Sequence, residues 1–289
     1  MKPPPFSYHD PRSVSEVINL LETLENPKLL AGGQSLMPML NMRYVMPDHV
    51  IDLNKVEGLS YIEDNNGNLS IGGMTLQRDL EYSELIKAKC PLMYDALQQI
   101  GHRQTRNRGT IGGSLSHLDP AAELPSVCAA HDAVLIVQGP GGKREIPFSD
   151  FPVAYMTPAT GMDEVLTGVE IPTWSEGHGY AFVEFARRHG DFAITSAAAL
   201  LEIGQGGRIT RASLTVGGVG AAPVRMTSIE EALIGQTGDE EKLRELCETC
   251  REIDALGDVY ASSEYRQHLA TVMSRRALVK AYKRANAAT

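Results

Sequence analysis

A chain of 289 residues can hold two ordinary domains or one domain with subdomains, and 43% hydrophobic with 22% charged residues is the composition of a globular protein. The net charge of −9, from 36 acidic against 27 basic residues, lacks the basic footprint that a general nucleic-acid surface needs. No apolar run reaches the roughly 20 residues of a membrane span, and the opening MKPPPFSYHDP has no apolar signal-peptide core; a cytoplasmic address is expected, any targeting signal being left to a partner chain.

Ser13 and Glu16 make an S-x-x-E capping box. Val14, Val17, Ile18, Leu21 and Leu24 follow at helical spacing. KLLAG (28–32) and HVIDL (49–53) read as strands, so residues 1–57 are expected to form a small α/β unit. A second unit is expected over 58–177. It opens with the strand LSIGGM (69–74) and has helical stretches near 76–88 and 91–100. After a glycine-rich loop come DAVLIVQG, the turn GPGGK, REIPF and EVLTGVEIP, which alternate like an antiparallel sheet. Pro172 and WSEGHG (174–179) mark a boundary.

The third unit, 178–289, opens with the alternating strand GYAFVEFARR. SAAALLEI, GQGG and RITRASLTVGGV then read as a hairpin. Helices dominate afterwards. Thr227 and Glu230 make a T-x-x-E box, and a final helix is expected from about Ser262 to Arg284. Its basic end, with Arg275, Arg276, Lys280, Lys283 and Arg284, reads as a solvated face that complements the helix dipole, in preference to a binding patch. The four cysteines, Cys90, Cys128, Cys247 and Cys250, read as reduced thiols. Cys247 and Cys250 form a lone C-x-x-C in a helical stretch, and a metal site would need a second pair or nearby histidines. No iron–sulfur cluster or other metal is expected in this chain.

Two segments carry candidate chemistry: KLLAGGQSLMPML (28–40) and RNRGTIGGSLSHLDPAAELP (106–125). Each sets adjacent glycines beside small hydroxyl residues. Glycine admits positive φ and close approach of a ligand, and successive N–H groups in such a turn make an anion-binding nest. Ser35, Thr110 and Ser114 add hydroxyl donors. A G-G pair also occurs as a plain tight turn. Neither segment is a G-x-G-x-x-G or a Walker loop, so classical NAD and ATP sites are not indicated.

AGGQSLMP and TIGGSLSHLDPAAELP resemble the two FAD loops of the medium subunits of carbon monoxide dehydrogenase and related molybdenum hydroxylases. The similarity runs along essentially the whole chain. It takes in FSYHDPRSVSEV, the strand ending EIP at 170–172, RRHGDFA (187–193) and GGVGAAPVR (217–225). It implies an α+β architecture: the two-subdomain FAD-binding fold of the vanillyl-alcohol oxidase type, plus a C-terminal α/β domain with a small antiparallel sheet and helices.

The resemblance implies a set of FAD-binding residues. The first loop gives Leu30, Ala31, Gly32, Gly33, Gln34, Ser35 and Leu36, with Lys28 and Leu29 flanking. The second gives Thr110, Ile111, Gly112, Gly113 and Ser114, the last standing where many relatives have Asn. Glu123 replaces an Asp that contacts the cofactor's polar chain, and Asp119 is a weaker candidate. Ile100 and Leu166 match apolar positions beside the cofactor; by the residues alone both are core. Asp191 and Phe192 fall in a stretch near the isoalloxazine that often reads K-x-G-D-Y-A, Phe192 without the tyrosine hydroxyl.

No histidine or cysteine stands as an obvious covalent flavin anchor, so FAD is expected to be non-covalent. No catalytic acid–base dyad is expected. The resemblance further implies a small subunit with two [2Fe–2S] clusters and a large subunit with a molybdenum–pterin centre. The assembly is then a dimer of heterotrimers, a heterohexamer, in which electrons pass to this chain's FAD and on to an external acceptor. The alternatives are a self-contained flavin-dependent oxidoreductase of the same fold and a cofactor-free assembly subunit.

Overall fold

The structure, a computed structural model, describes residues 1–288; position 289, the end of the expected third unit, lies outside them. The expected α+β architecture is present as three main sheets with helices between and upon them. Strands Ser7–His9, Pro27–Leu30 and His49–Asp52 form a parallel sheet with His49–Asp52 in the middle. Parallel strands need crossovers: helix Val14–Thr23 joins the two edge strands, and helix Leu36–Asn41 joins Pro27–Leu30 to the central one. Ser13 Oγ caps that helix by accepting from the Glu16 N–H at 3.3 Å. The other arm of the expected box is displaced: the Glu16 carboxylate takes the Arg12 N–H at 2.7 Å.

The second sheet is antiparallel, in the order Ile62–Asn65, Asn68–Gly72, Val165–Pro172, Val134–Gly139, Gly142–Pro147. Its central strand is the last in sequence. The chain between 73 and 133 is therefore looped out as helices, whose apolar residues pack with this sheet into the main core. The helical stretch expected over 76–88 is two helices, Gln77–Tyr82 and Glu84–Lys89. Ser83 divides them, because its extended backbone lets its hydroxyl accept from the Ile86 N–H and cap the second. The expected loop over 106–125 is also largely helical, as Ile111–His117 and the start of Glu123–Ala130.

Strands Gly179–Phe185, Thr195–Ile203, Ile209–Gly217 and Val224–Arg225 form the third sheet, antiparallel in chain order. Phe182, Ala198 and Leu200 on one face join the main core. Ala181, Ala197, Ala199 and Leu201 on the other lie under the long helix Ser263–Ala288. Small side chains bring that helix close: a Cβ on Gly179 would stand 1.9 Å from the Ala281 carbonyl oxygen.

The T-x-x-E box at Thr227 does not form. Glu230 turns instead to the Leu214 N–H at 2.7 Å and to the Arg225 guanidinium. The basic helix end also departs from a simple solvated face. Arg284 reaches back to Asp95 at 2.6 Å and to the Tyr180 carbonyl at 2.8 Å, and stacks 4.1 Å over the Tyr180 ring. Lys280 lies 3.6 Å from Asp95. These contacts tie the third sheet's helix to helix Pro91–Leu97 of the main core.

All four cysteines are buried. Cys247 and Cys250 lie under the last helix, where the Cys250 thiol meets Ser274 Oγ at 3.5 Å. Cys90 and Cys128 lie in the main core. Burial pushes His131 down to about 4, so its ring is neutral. Nδ1–H then donates to the Pro172 carbonyl at 3.0 Å, and Nε2 accepts from the Cys90 thiol at 3.3 Å. Among the described residues no helix is long and apolar enough to cross a membrane.

The close seat at Gly179 is testable. Gly179→Ala is expected to destabilise the protein by about 1–3 kcal/mol, the usual range for overpacking. Gly141→Ala, with no atom within 4 Å of the added Cβ, should stay within about 0.5 kcal/mol of the parent. Urea denaturation measures both, and equal losses would contradict the helix-on-sheet packing.

Candidate functional site

The first glycine loop is the turn between strand Pro27–Leu30 and helix Leu36–Asn41. Gly33 sits at φ +73°, a conformation in which a side chain is strained. The N–H groups of Gly32, Gly33, Gln34 and Ser35 have no acceptor among the described residues. Four successive unclaimed donors around a left-handed residue are what an anion nest offers. Asn54 braces the turn from behind, giving one amide hydrogen to the Ala31 carbonyl at 3.0 Å. The Ser35 hydroxyl makes no cap bond and remains free as a further donor.

The second glycine pair is built differently. Ile111 N–H donates to the Thr75 carbonyl, Gly112 N–H to the Gly73 carbonyl and Ser114 N–H to the Thr110 carbonyl. Gly113 N–H donates to Thr110 Oγ1 at 2.9 Å. Thr110 is thus the N-cap of helix Ile111–His117, and this segment is a helix start rather than a second nest. What it has left to give is the Thr110 N–H, which has no acceptor among the described residues, and the hydroxyls of Thr110, whose oxygen already accepts, and Ser114. Gly112 is required by packing, since its Cβ would lie 2.5 Å from the Gly73 carbonyl oxygen. Ile111 is wholly buried in the core.

The loops meet backbone to backbone. A Cβ on Gly32 would stand 2.0 Å from the Arg108 carbonyl oxygen and 2.8 Å from Gly109 Cα. Behind the second loop, Arg106 and Glu81 form a buried ion pair at 2.7 Å, and Arg106 also holds the Ile100 carbonyl at 2.8 Å. Burial pulls the Glu81 carboxyl upward, but the Arg106 hydrogen bonds outweigh it and keep Glu81 below the usual range.

The remaining expected residues continue from these loops. Leu166 and Ile100 are 6% and 7% exposed and belong to the main core. The Leu166 carbonyl abuts Gly73, so it adjoins the second loop. The Ile100 segment meets the RRHGDFA turn, where Gly190 packs on His102 and the Gly101 carbonyl. Asp191 orders that turn by pairing with Arg188 at 3.2 Å and Arg187 at 3.7 Å. Phe192 is left 63% exposed, at a groove of about 590 Å³ shared with Asp119, Tyr155 and Tyr260. A second groove of about 740 Å³ lies between helices Glu240–Cys247 and Ser263–Ala288; it is charged and shares no residue with either loop.

Glu123 opens helix Glu123–Ala130 and is 7% exposed. Burial, then the Glu184 and Asp119 carboxylates, push it up to about 8. Burial likewise raises Glu184 to about 7. The sequence reading missed Glu184. Its signal was available: in GYAFVEF it shares the face of Tyr180 and Phe182, a charge in a row that turns inward.

Comparisons with known proteins give the family. Residues 4–174 match the family described as the FAD binding domain in molybdopterin dehydrogenase. Residues 180–281 match the CO dehydrogenase flavoprotein C-terminal domain. The chain is 38% identical to the 6-hydroxypseudooxynicotine dehydrogenase complex subunit alpha of Paenarthrobacter nicotinovorans, over 99% of this chain and 97% of that one. It is 32% identical to the carbon monoxide dehydrogenase medium chain of Hydrogenophaga pseudoflava, over 98% and 99%. Among solved structures, quinoline 2-oxidoreductase from Pseudomonas putida 86 superposes with a TM-score of 0.94 at 33% identity, over 98% of this chain and 99% of that one. With nearly its whole length matched, the chain belongs to the family of FAD-binding medium subunits of the molybdenum hydroxylases, and is an oxidoreductase subunit of that kind.

Proposed function

We propose that this chain holds FAD non-covalently across the two glycine loops and relays electrons, while the organic substrate is oxidised in another subunit. The observation that carries the site assignment is the row of unclaimed N–H groups at Gly32, Gly33, Gln34 and Ser35. They suit the two negative charges of a pyrophosphate. The Thr110, Ser35 and Ser114 hydroxyls add donors, and Ala31 with Leu30 and Leu36 flanks the turn. Glu123 faces the cofactor's polyol chain. Ile100 and Leu166 supply apolar walls, and Phe192, ordered by the Asp191 turn, shields the ring. Ile111, Gly112 and Gly113 place the Thr110 hydroxyl through the helix they begin.

The bound FAD supplies reversible two-electron chemistry, and the protein's part is to fix and tune it. The source of electrons in this reading is a small subunit with two [2Fe–2S] clusters. That subunit is charged in turn by a molybdenum–pterin centre in a large subunit. The assembly is a dimer of heterotrimers in the cytoplasm.

Acid denaturation of the purified complex should release one FAD per copy of this chain into the supernatant; yellow colour retained in the pellet would contradict non-covalent binding. Gly33→Val, at a left-handed position, should lower FAD occupancy more than tenfold. Ser35→Ala removes one hydrogen bond of roughly 0.5–1.5 kcal/mol, about two- to tenfold in affinity. Full occupancy in a folded Gly33→Val variant would remove the pyrophosphate from this loop. The relay itself is checked by mixing substrate with flavin-depleted complex. The molybdenum and iron–sulfur centres should still bleach while transfer to a flavin-dependent acceptor collapses. Oxidation of the organic substrate by this chain alone would establish the self-contained alternative.

A further inference from the structure

Beneath helix Glu123–Ala130 lies a group of polar side chains that the site described above does not use. In the third sheet Glu184 pairs with Ser196, and Ser196 pairs in turn with Gly217. Opposed residues of antiparallel strands share a face, and Thr215, two residues from Gly217, shares it too. This face meets the helix, as the hydrogen bond from Ser213 Oγ to the Ala130 carbonyl at 2.7 Å shows. Gly217 leaves a gap there. A Cβ on it would stand 2.4 Å from Ser126 Oγ of the helix and 2.5 Å from Ser196 Oγ. Ser126, Ser196 and Thr215 are 0–1% exposed, and their hydroxyls have no hydrogen-bond partner among the described residues. Glu184 Oε2 is equally sealed and unpartnered.

Glu123 stands at the N-terminal end of the same helix, one turn from Ser126. Among the described residues neither Glu123 nor Glu184 has a cation within ion-pair distance. Buried hydroxyls are normally satisfied, and two carboxylates in one enclosed site cannot both ionise cheaply. Keeping a proton on Glu123 as Glu184 ionises avoids placing two charges there.

We propose that Glu184 is a positioning residue for the cofactor site: its carboxyl, enclosed with that of Glu123 and with no cation beside either, keeps Glu123 protonated at neutral pH, so that Glu123 meets the polyol chain of FAD as a neutral donor and not as another anion beside the pyrophosphate. This rests on the loop assignment made above. The upward shifts of Glu123 to about 8 and Glu184 to about 7 agree with it.

The other groups in reach are few. Asp119, from the loop before the helix, raises Glu123 further. His117, at the end of helix Ile111–His117, is pushed below its usual range by burial and is neutral throughout the slightly alkaline region. Arg225 and Asp132 pair with each other at the far end of helix Glu123–Ala130. The neighbouring strands present hydroxyls and glycine.

The sign follows from the protonation. Below about pH 7 the pair is neutral and FAD binds best. As pH rises through 7 to 8 the carboxyls ionise and binding weakens, by at most about tenfold per pH unit for each proton that must be retained. The experiment is titration of FAD into the flavin-stripped full-length chain from pH 6 to 9, followed by flavin fluorescence. The parent's Kd should rise several-fold between pH 7 and 9. Glu123→Gln should flatten the profile. Glu184→Gln removes the second carboxylate and should move the rise to lower pH. A flat parent profile overturns the proposal and leaves FAD binding intact, and so does a Glu184→Gln profile that superimposes on the parent's. Failure of FAD to bind at any pH overturns the loop assignment and this inference with it.

Discussion

The contact of Gly32 with the backbone of Arg108 and Gly109 sets the geometry of the whole site. Two loops from two different sheets meet there with no side chain between them. The same demand recurs at Gly112, which sits on Gly73, and at Gly73, which sits on the Leu166 carbonyl. Three successive backbone-on-backbone contacts thus carry the position of the first sheet through to the central strand of the second. The buried Glu81–Arg106 pair locks the second loop from behind. Breaking such a pair leaves an uncompensated buried charge, so it ties the loop to helix Gln77–Tyr82 more firmly than a surface pair would.

This division explains which glycines do what. Gly32, Gly73 and Gly112 serve packing, whereas Gly33 serves the turn and shapes the row of free N–H groups. A reading that treats both G-G pairs alike as anion nests does not hold for the second pair, and the reason is Thr110. Its hydroxyl captures the Gly113 N–H and starts a helix, and the Ile111, Gly112 and Ser114 N–H groups are spent on backbone carbonyls. That cap was legible, a threonine three residues before a glycine that donates to it, but the glycines masked it.

Other features were legible to different degrees. Most strands of the three sheets follow from apolar patterning and turn residues, and the first helix follows from Ser13; Ser7–His9, Ile62–Asn65 and Val224–Arg225 were not read, being too short or too polar to show alternation. Helix Glu123–Ala130 was not found because it has no polar face to mark it. Glu123, Leu124, Pro125, Ser126, Val127, Cys128 and Ala130 are all buried, and a helix hydrophobic all round gives no 3.6-residue period. The Glu81–Arg106 pair and the Glu123–Glu184 pair join residues 25 and 61 positions apart, which no local pattern announces. Local rules failed where distant partners outbid them: Glu230 left its capping box for Leu214 and Arg225, and Arg284 left solvent for Asp95.

The four thiols bear on how this chain endures its own chemistry. Burial pushes Cys90 and Cys247 up to about 12 and Cys250 to about 11, and raises Cys128 as well. The thiolate is the form that peroxide attacks, and at neutral pH these side chains present almost none of it and no path to it. A flavoprotein that hands electrons outward works beside any reduced oxygen species formed when a transfer misfires. By sealing every sulfhydryl among its described residues in an apolar interior, this fold offers such oxidants no nucleophilic sulfur and needs no disulfide to protect one.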